Sequence, residues 1–119
     1  MEGALMIAEF QALILAAVIE GPVAYLLIRW TGWSCRGAVH AGLAAIVATG
    51  VTHPQVWEGV LWAYRHYPVW PSALVAEALV VLVEAALMSW MIGLAPRQAL
   101  ALSLLTNTAS FLAGLVVLR

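Results

Sequence analysis

ALILAAVIEGPVAYLLIRW, residues 12–30, decides the fold. A helix rises ~1.5 Å per residue and the bilayer's hydrocarbon is ~30 Å thick, so about twenty mostly apolar residues span it. Extended back to Gly3, this run carries only Glu9, Gln11 and Glu20 as strongly polar side chains before Arg29. The stretch predicts a membrane-spanning helix over Gly3 to Trp30, and it sets the problem of Glu20-Gly21-Pro22. There a carboxylate, a glycine and a proline stand in tandem where lipid disfavours the first and helix geometry the last.

The rest of the chain reads the same way. Of its 119 residues 65% are hydrophobic and 9% charged, against about 45–50% and roughly 25% in ordinary globular chains. Apolar runs extend over Gly37 to Thr52, Ser72 to Leu94 and Arg97 to Leu118. The second run is short, and crosses a bilayer only by thinning it, by recruiting Cys35 and Arg36, or by continuing as a helix kinked at Pro54. The fold class expected is therefore an all-α integral membrane protein of four transmembrane helices in two hairpins, forming one domain. The N-terminus has no basic leader region and is expected to stay as part of the first span. A prokaryotic cytoplasmic (inner) membrane, or an equivalent energy-transducing one, is the expected location.

Residues 54–69 join the second and third runs. Trp57, Val60, Leu61 and Tyr64 fall on one helical face, opposite Gln55, Glu58 and Arg65. That pattern predicts an amphipathic helix lying in the interface, with Trp62, Tyr67 and Trp70 adding to an aromatic belt. Arg29, Arg36 and Arg97 flank the first and third connections, against Arg65 and Arg119 elsewhere, which puts those connections inside and both termini outside.

The two halves, 1–53 and 70–119, echo one another. Glu20 matches Glu84, and Thr49-x-x-Thr52 matches Asn107-x-x-Ser110. A duplication of a two-span unit would place a pseudo-twofold axis along the membrane normal.

The candidate site follows from the acids. Glu9 and Glu20 are eleven residues apart and Glu77 and Glu84 seven; at ~100° per residue each pair falls within ~20° on its helix. Glu20 and Glu84, deep in apolar surroundings, must face the bundle and be neutralised by a proton, a cation or hydrogen bonds, because an acid at mid-bilayer costs roughly 2.5–3.5 kcal/mol. The donors expected are Thr49, Thr52, Asn107 and Ser110, on stripes of small and polar residues (Gly42, Ala45, Thr49, Thr52; Ser103, Asn107, Ser110, Gly114) that permit close helix approach. Pro22 removes one amide hydrogen and crowds the Val18 carbonyl. A carbonyl freed beside a carboxylate would suit a cation; the plainer reading is that Gly21-Pro22 bends the span.

Several classes drop out. Five arginines against six glutamates leave no basic surface for nucleic acid. Cys35 is the single cysteine, read as a loop thiol. His40, His53 and His66 lack metal-ligand spacing, no haem or quinone pocket is indicated, and no phosphate loop, nucleophile elbow or Ser-His-acid set is present. No metal, no cofactor and no enzyme activity are expected. In size, span number and an embedded glutamate in the first span, the chain resembles the small multidrug resistance transporters in architecture. It lacks that family's surrounding motifs and has its own glutamates in the third span, so no residue roles carry over. Two functions remain: a proton- or cation-coupled transport element using Glu20 and Glu84, or a non-catalytic structural or assembly subunit of a larger membrane complex. Either implies the bilayer, further copies or other membrane subunits as partners.

Overall fold

The computed structural model describes residues 2–34 and 36–117, the side chains of residues 2 and 4–6 excepted. Cys35, Leu118 and Arg119, which the sequence reading used, lie outside the described residues. Four helices make up the fold: α1 (Glu2–Thr31), α2 (Ala38–His66), α3 (Val69–Ile92) and α4 (Pro96–Val117). The described residues contain no strand. Connections are so short that consecutive helices run antiparallel, and the molecule measures 45 × 23 × 22 Å. Each helix packs on its two neighbours in a ring, α1 on α2, α2 on α3, α3 on α4 and α4 on α1. So α1 and α3 face each other across the bundle axis.

Three of the helices, over Ile7–Thr31, Val69–Ile92 and Pro96–Val117, are long and apolar enough to cross a membrane. Packing agrees with that composition. The interior is built from small side chains, among them Ala24, Ala41, Ala44, Ala45, Ala48, Ala85 and Ala99, while Phe10, Leu26, Leu43, Leu74, Leu82 and Leu104 point outward. A soluble bundle would have the large apolar residues inside. Here close approach of backbones does the packing, as it must where lipid is as apolar as leucine.

Gly21 acquires a reason from this. An added Cβ at Gly21 would stand 2.9 Å from Ile46 Cδ1, and one at Gly42 would stand 3.2 Å from the Gly21 carbonyl oxygen. The two glycines are the crossing point of α1 and α2. The helix itself runs unbroken through Pro22. Pro22 and Val18 are both exposed, and at ~100° per residue they lie on the side of α1 opposite Glu20. The carbonyl deprived of a donor thus belongs to the outer surface, which removes it from the acid's neighbourhood and from any cation site there.

The second helix departs from the expected division. Residues 54–66 belong to α2, which passes through Pro54 without interruption. Thr49, Thr52, Val56 and Val60 keep one helical face across the proline, and inward packing of that face holds the backbone helical although Pro54 supplies no amide hydrogen to the Gly50 carbonyl. Trp57, Val60 and Leu61 are half-buried, while Gln55, Glu58 and Arg65 are exposed.

Burial repeats between the halves. The buried residues of α1, Glu20, Gly21, Ala24 and Ile28, match Glu84, Ala85, Met88 and Ile92 of α3 at the same spacing. Those of α4, Ala99, Leu102, Ser103, Thr106 and Asn107, match Ala41, Ala44, Ala45, Ala48 and Thr49 of α2. Helices α1 and α3 also end alike, though not in the same register, with Gly32 and Gly93 at φ 69° and 68° closing onto the carbonyls of Ile28 and Ser89. This is left-handed backbone that glycine adopts at no steric cost.

One end of the bundle is sealed. Ile28, Ala41, Met88, Ile92, Leu94 and Ala99 pack together beneath the first and third connections. Ser34 donates to the Ile92 carbonyl (2.9 Å) and Arg36 to the Met91 carbonyl (2.7 Å), tying the first connection over the end of α3.

Candidate functional site

Glu20 and Glu84 meet on the bundle axis, each only 2% exposed. They come from the diagonal helices α1 and α3, and the carboxyl groups are immediate neighbours. The donors lie on α2 and α4, the two helices that fill the gaps between them.

Glu84 is well bonded. Thr52 Oγ1 donates to its Oε2 at 2.9 Å and Asn107 Nδ2 to its Oε1 at 3.3 Å. Asn107 also donates to the Ser103 carbonyl (2.9 Å) and reaches Ser103 Oγ (3.2 Å), while Ser103 donates to the Val81 carbonyl (2.8 Å). The amide is thereby clamped between α3 and its own helix. Thr52 Oγ1 is also 2.9 Å from the Ala48 carbonyl. Its one hydroxyl hydrogen serves either the carboxylate or the helix, never both at full strength.

Glu20 is not. Ser110, Thr49 and Glu84 stand near enough to its carboxyl to act on it as hydrogen-bonding groups, but none reaches bonding geometry with Glu20 Oε1, and that oxygen and Thr49 Oγ1 are buried without a partner. Ser110 Oγ donates to the Asn107 carbonyl at 3.1 Å instead. A buried polar atom without a partner costs about 1–3 kcal/mol, so such atoms mark a place where a ligand or water completes the site.

The neighbours follow a rule. Glu84 is held by the first polar residue of its own half's motif, Asn107, and the second of the other half's, Thr52. Glu20 faces the first of its own, Thr49, and the second of the other, Ser110. Exchanging the halves reproduces the set, with threonine on one side where asparagine stands on the other.

The pair forms the floor of a cavity of about 340 Å³, within the 300–1,000 Å³ of small-molecule sites. The walls bring in Glu77, His53, Trp57, Tyr64 and Phe111, with Gly114 and Leu115 beyond them. All of these lie on the opposite side of the acids from the sealed end. Among the described residues, every formally charged side chain on the wall is a carboxylate and no arginine reaches it. His53 stacks on Trp57 (centroids 5.9 Å apart) and its Nε2 is buried without a partner.

Of the eight residues singled out from sequence, seven therefore lie together: Glu20, Glu84, Asn107, Thr49, Thr52, Ser110 and the half-buried Glu77. Glu9 stands apart, half-buried next to His53 and off the cavity wall. The sequence reading missed His53, Trp57, Tyr64 and Phe111 as wall residues, and the Gly21–Gly42 crossing. His53 and Trp57 carried a usable signal, since both continue the Thr49 face of α2 once that helix is allowed to pass Pro54. No protein-family model, no curated protein and no solved structure matches this chain, so the likeness to small multidrug resistance transporters rests on size, span number and the glutamate of the first span.

Proposed function

We propose that this chain is a proton- or cation-coupled membrane transport element whose exchange site is the Glu20–Glu84 pair, and that it is not an enzyme. The observation that carries this reading is the meeting of two buried carboxyl groups at the floor of an acidic cavity. Two carboxylates in contact repel one another, and a proton or a cation taken up from the cavity removes that repulsion. Uptake of one then displaces the other, which is the elementary step of coupling. Packing alone does not call for a second acid, an unpartnered oxygen and open space beside both.

In this reading α2 is a fourth span, its more polar second half emerging with Trp62 and Tyr67 at the interface. The two hairpins are a duplicated unit about an axis along the membrane normal; the matched burial patterns and the exchanged donor set support the duplication. Arg29, Arg36 and Arg97 put the sealed end inside by the arginine rule, so the cavity belongs to the outer side and alternating access requires the Ser34 and Arg36 ties to release. A homo-oligomer in the membrane is the assembly proposed. A second reading, a non-catalytic subunit of a larger complex, has one observation of its own. An almost wholly apolar cleft of about 560 Å³ lies between the end of α2 and the start of α3, bounded by Val60, Trp62, Tyr67, Pro71 and Val75, and would receive a partner helix.

The test is flux. In liposomes holding a pH-sensitive dye, an imposed gradient of sodium, potassium or an organic ammonium ion should move protons through the wild type faster than through empty liposomes, and Glu20→Gln and Glu84→Gln should each abolish the difference. Flux that persists unchanged in both variants, or wild-type liposomes no different from empty ones, overturns the proposal.

A further inference from the structure

The geometry points to a primary ammonium group as the ligand of this site, bound through its N–H hydrogens by Glu20 Oε1 and Thr49 Oγ1 at the cavity floor. The inference deepens the transport reading and rests on it for treating the site as a passage rather than a packing contact.

Four observations fix the chemistry. First, both oxygens are buried, 2% and 3% exposed by residue, line the cavity and have no partner. Glu20 Oε1 is an acceptor, and the Thr49 hydroxyl beside it can accept from an incoming group while keeping its own hydrogen to donate. Second, the matching place in the other half already holds one: Asn107 Nδ2 stands 3.3 Å from Glu84 Oε1. What the first half lacks is therefore an N–H group, and Thr49 is the residue whose shortness leaves room for it.

Third, the wall's charged groups among the described residues are Glu20, Glu77 and Glu84, which favours a cationic donor over a neutral amide. A spherical metal ion is less well served. Calcium takes about 6–8 oxygens and magnesium about six, whereas Thr52 and Asn107 already occupy Glu84 and Ser110 is turned to a carbonyl. An ammonium needs only directed acceptors. Fourth, the remaining wall is apolar and aromatic, with Leu15, Trp57, Phe111 and Leu115 above the acids, so the ammonium's substituent has a hydrophobic bed and a ring face for its charge.

A trimethylated nitrogen carries the same charge with no N–H. It would leave both oxygens unmet and pay the cost of burying them so. The primary ammonium could come from a soluble amine or from the headgroup of an ethanolamine lipid, since both present the same group.

The experiment measures binding by calorimetry to the full chain in phosphatidylcholine nanodiscs, whose headgroup has no N–H, with benzylammonium and benzyltrimethylammonium as probes. Benzylammonium should bind at least tenfold more tightly than its trimethyl analogue. Thr49→Asn, which supplies the missing amide from within, should weaken benzylammonium tenfold or more. Thr49→Val, which removes the hydroxyl at nearly constant volume, should weaken it too and stands in if the asparagine variant fails to fold by circular dichroism. Equal affinity for the two probes, no benzylammonium binding by the wild type, or wild-type affinity in the folded Thr49 variants overturns the assignment. Nanodiscs containing phosphatidylethanolamine identify the source: a tenfold loss of apparent benzylammonium affinity marks a lipid headgroup already seated, unchanged affinity a soluble amine, and both keep the primary ammonium. Proton flux driven by sodium or potassium without any N–H preference sinks this inference and spares the transport reading; N–H-selective binding with no flux does the reverse.

Discussion

Asn107 and Thr49 occupy matching positions in the two halves, both at most 3% exposed, yet only Asn107 is bonded across the bundle. Asn107→Ala and Thr49→Val should therefore differ in stability. Truncating Asn107 removes the contact to Glu84 Oε1 and leaves that buried oxygen with one donor fewer. Interhelical hydrogen bonds in membranes average about 0.6 kcal/mol and reach about 1.7, and a bond to a carboxylate lies toward the upper part of such a range. The amide's contacts to Ser103 are lost as well, and an empty space the size of an amide opens in the core. The sum is about 1–3 kcal/mol. Thr49→Val removes a hydroxyl that makes no bond and keeps the branched shape, so its cost is within ~0.5 kcal/mol of zero and the substitution can even stabilise, because a buried unpaired polar atom disappears. At about 1.4 kcal/mol per factor of ten, the two variants should separate by roughly twofold to three-hundredfold in their unfolding constants. Titration from mixed micelles into sodium dodecyl sulfate, followed by fluorescence of the six tryptophans, reads that constant. If Thr49→Val costs as much as Asn107→Ala, then Thr49 is as firmly bonded as its counterpart and the contrast between the two positions is wrong.

Other outcomes follow from particular contacts. Gly42→Leu drives side-chain atoms into the α1 backbone, since even a Cβ there lies 3.2 Å from the Gly21 carbonyl oxygen; it should cost about 1–3 kcal/mol in the same titration, whereas Gly50→Ala, with nothing within 4 Å of the added carbon, should cost no more than a few tenths or gain slightly from helix propensity. Thr52→Val deletes the 2.9 Å bond to Glu84 Oε2 and should lower stability by about 0.5–1.5 kcal/mol, clearly more than Thr49→Val by the same readout. In a Cys35→Ser background, Gly114→Cys on the cavity wall should react with a charged thiol reagent at least tenfold faster than Ala24→Cys in the sealed core, where Ala24 is fully buried. Equal rates would mean that water reaches both ends alike.

Much of this was legible in the residues, for one physical reason. In a chain so poor in polar groups, each one that appears within an apolar run costs energy unless it meets another, so Glu20, Glu84, Thr49, Thr52, Asn107 and Ser110 named one another before any packing was known. Helical phase then put them on common faces. What could not be read was depth and partner choice. Whether Asn107 would bond Glu84 or Glu20 depends on the relative rise of α1 and α3, which no single-helix periodicity encodes. The extent of α2 was hidden by Pro54, whose local signal says stop while the inward face of the helix continues beyond it; the packing of Val56, Trp57 and Val60 outweighs one missing backbone hydrogen bond. Gly21 and Pro22 looked like a single device because they are adjacent. They are two, on faces ~100° apart: the glycine serves the α1–α2 crossing and the proline lies on the outer surface.

The division of labour between the halves is the step that connects fold to function. A strictly repeated bundle with asparagine at both first positions would satisfy both acids internally, and the axis would be dry and static. One with threonine at both would leave two acceptors unmet at once, at a cost that a small-residue core with little area to bury could poorly offset. The chain combines one of each. Asn107 anchors Glu84 to α4 and fixes the register of the bundle, and Thr49 leaves Glu20 open to whatever enters the cavity. On that logic the anchored acid sets the structure and the open one does the exchanging, so Glu20→Gln should cost little stability and remove ligand binding, while Glu84→Gln should disturb the hydrogen bonds of both Thr52 and Asn107 and cost stability as well. The paired measurement, stability and benzylammonium affinity on each variant, separates the two acids. If the losses are the same for both, the asymmetry between the halves has no functional meaning.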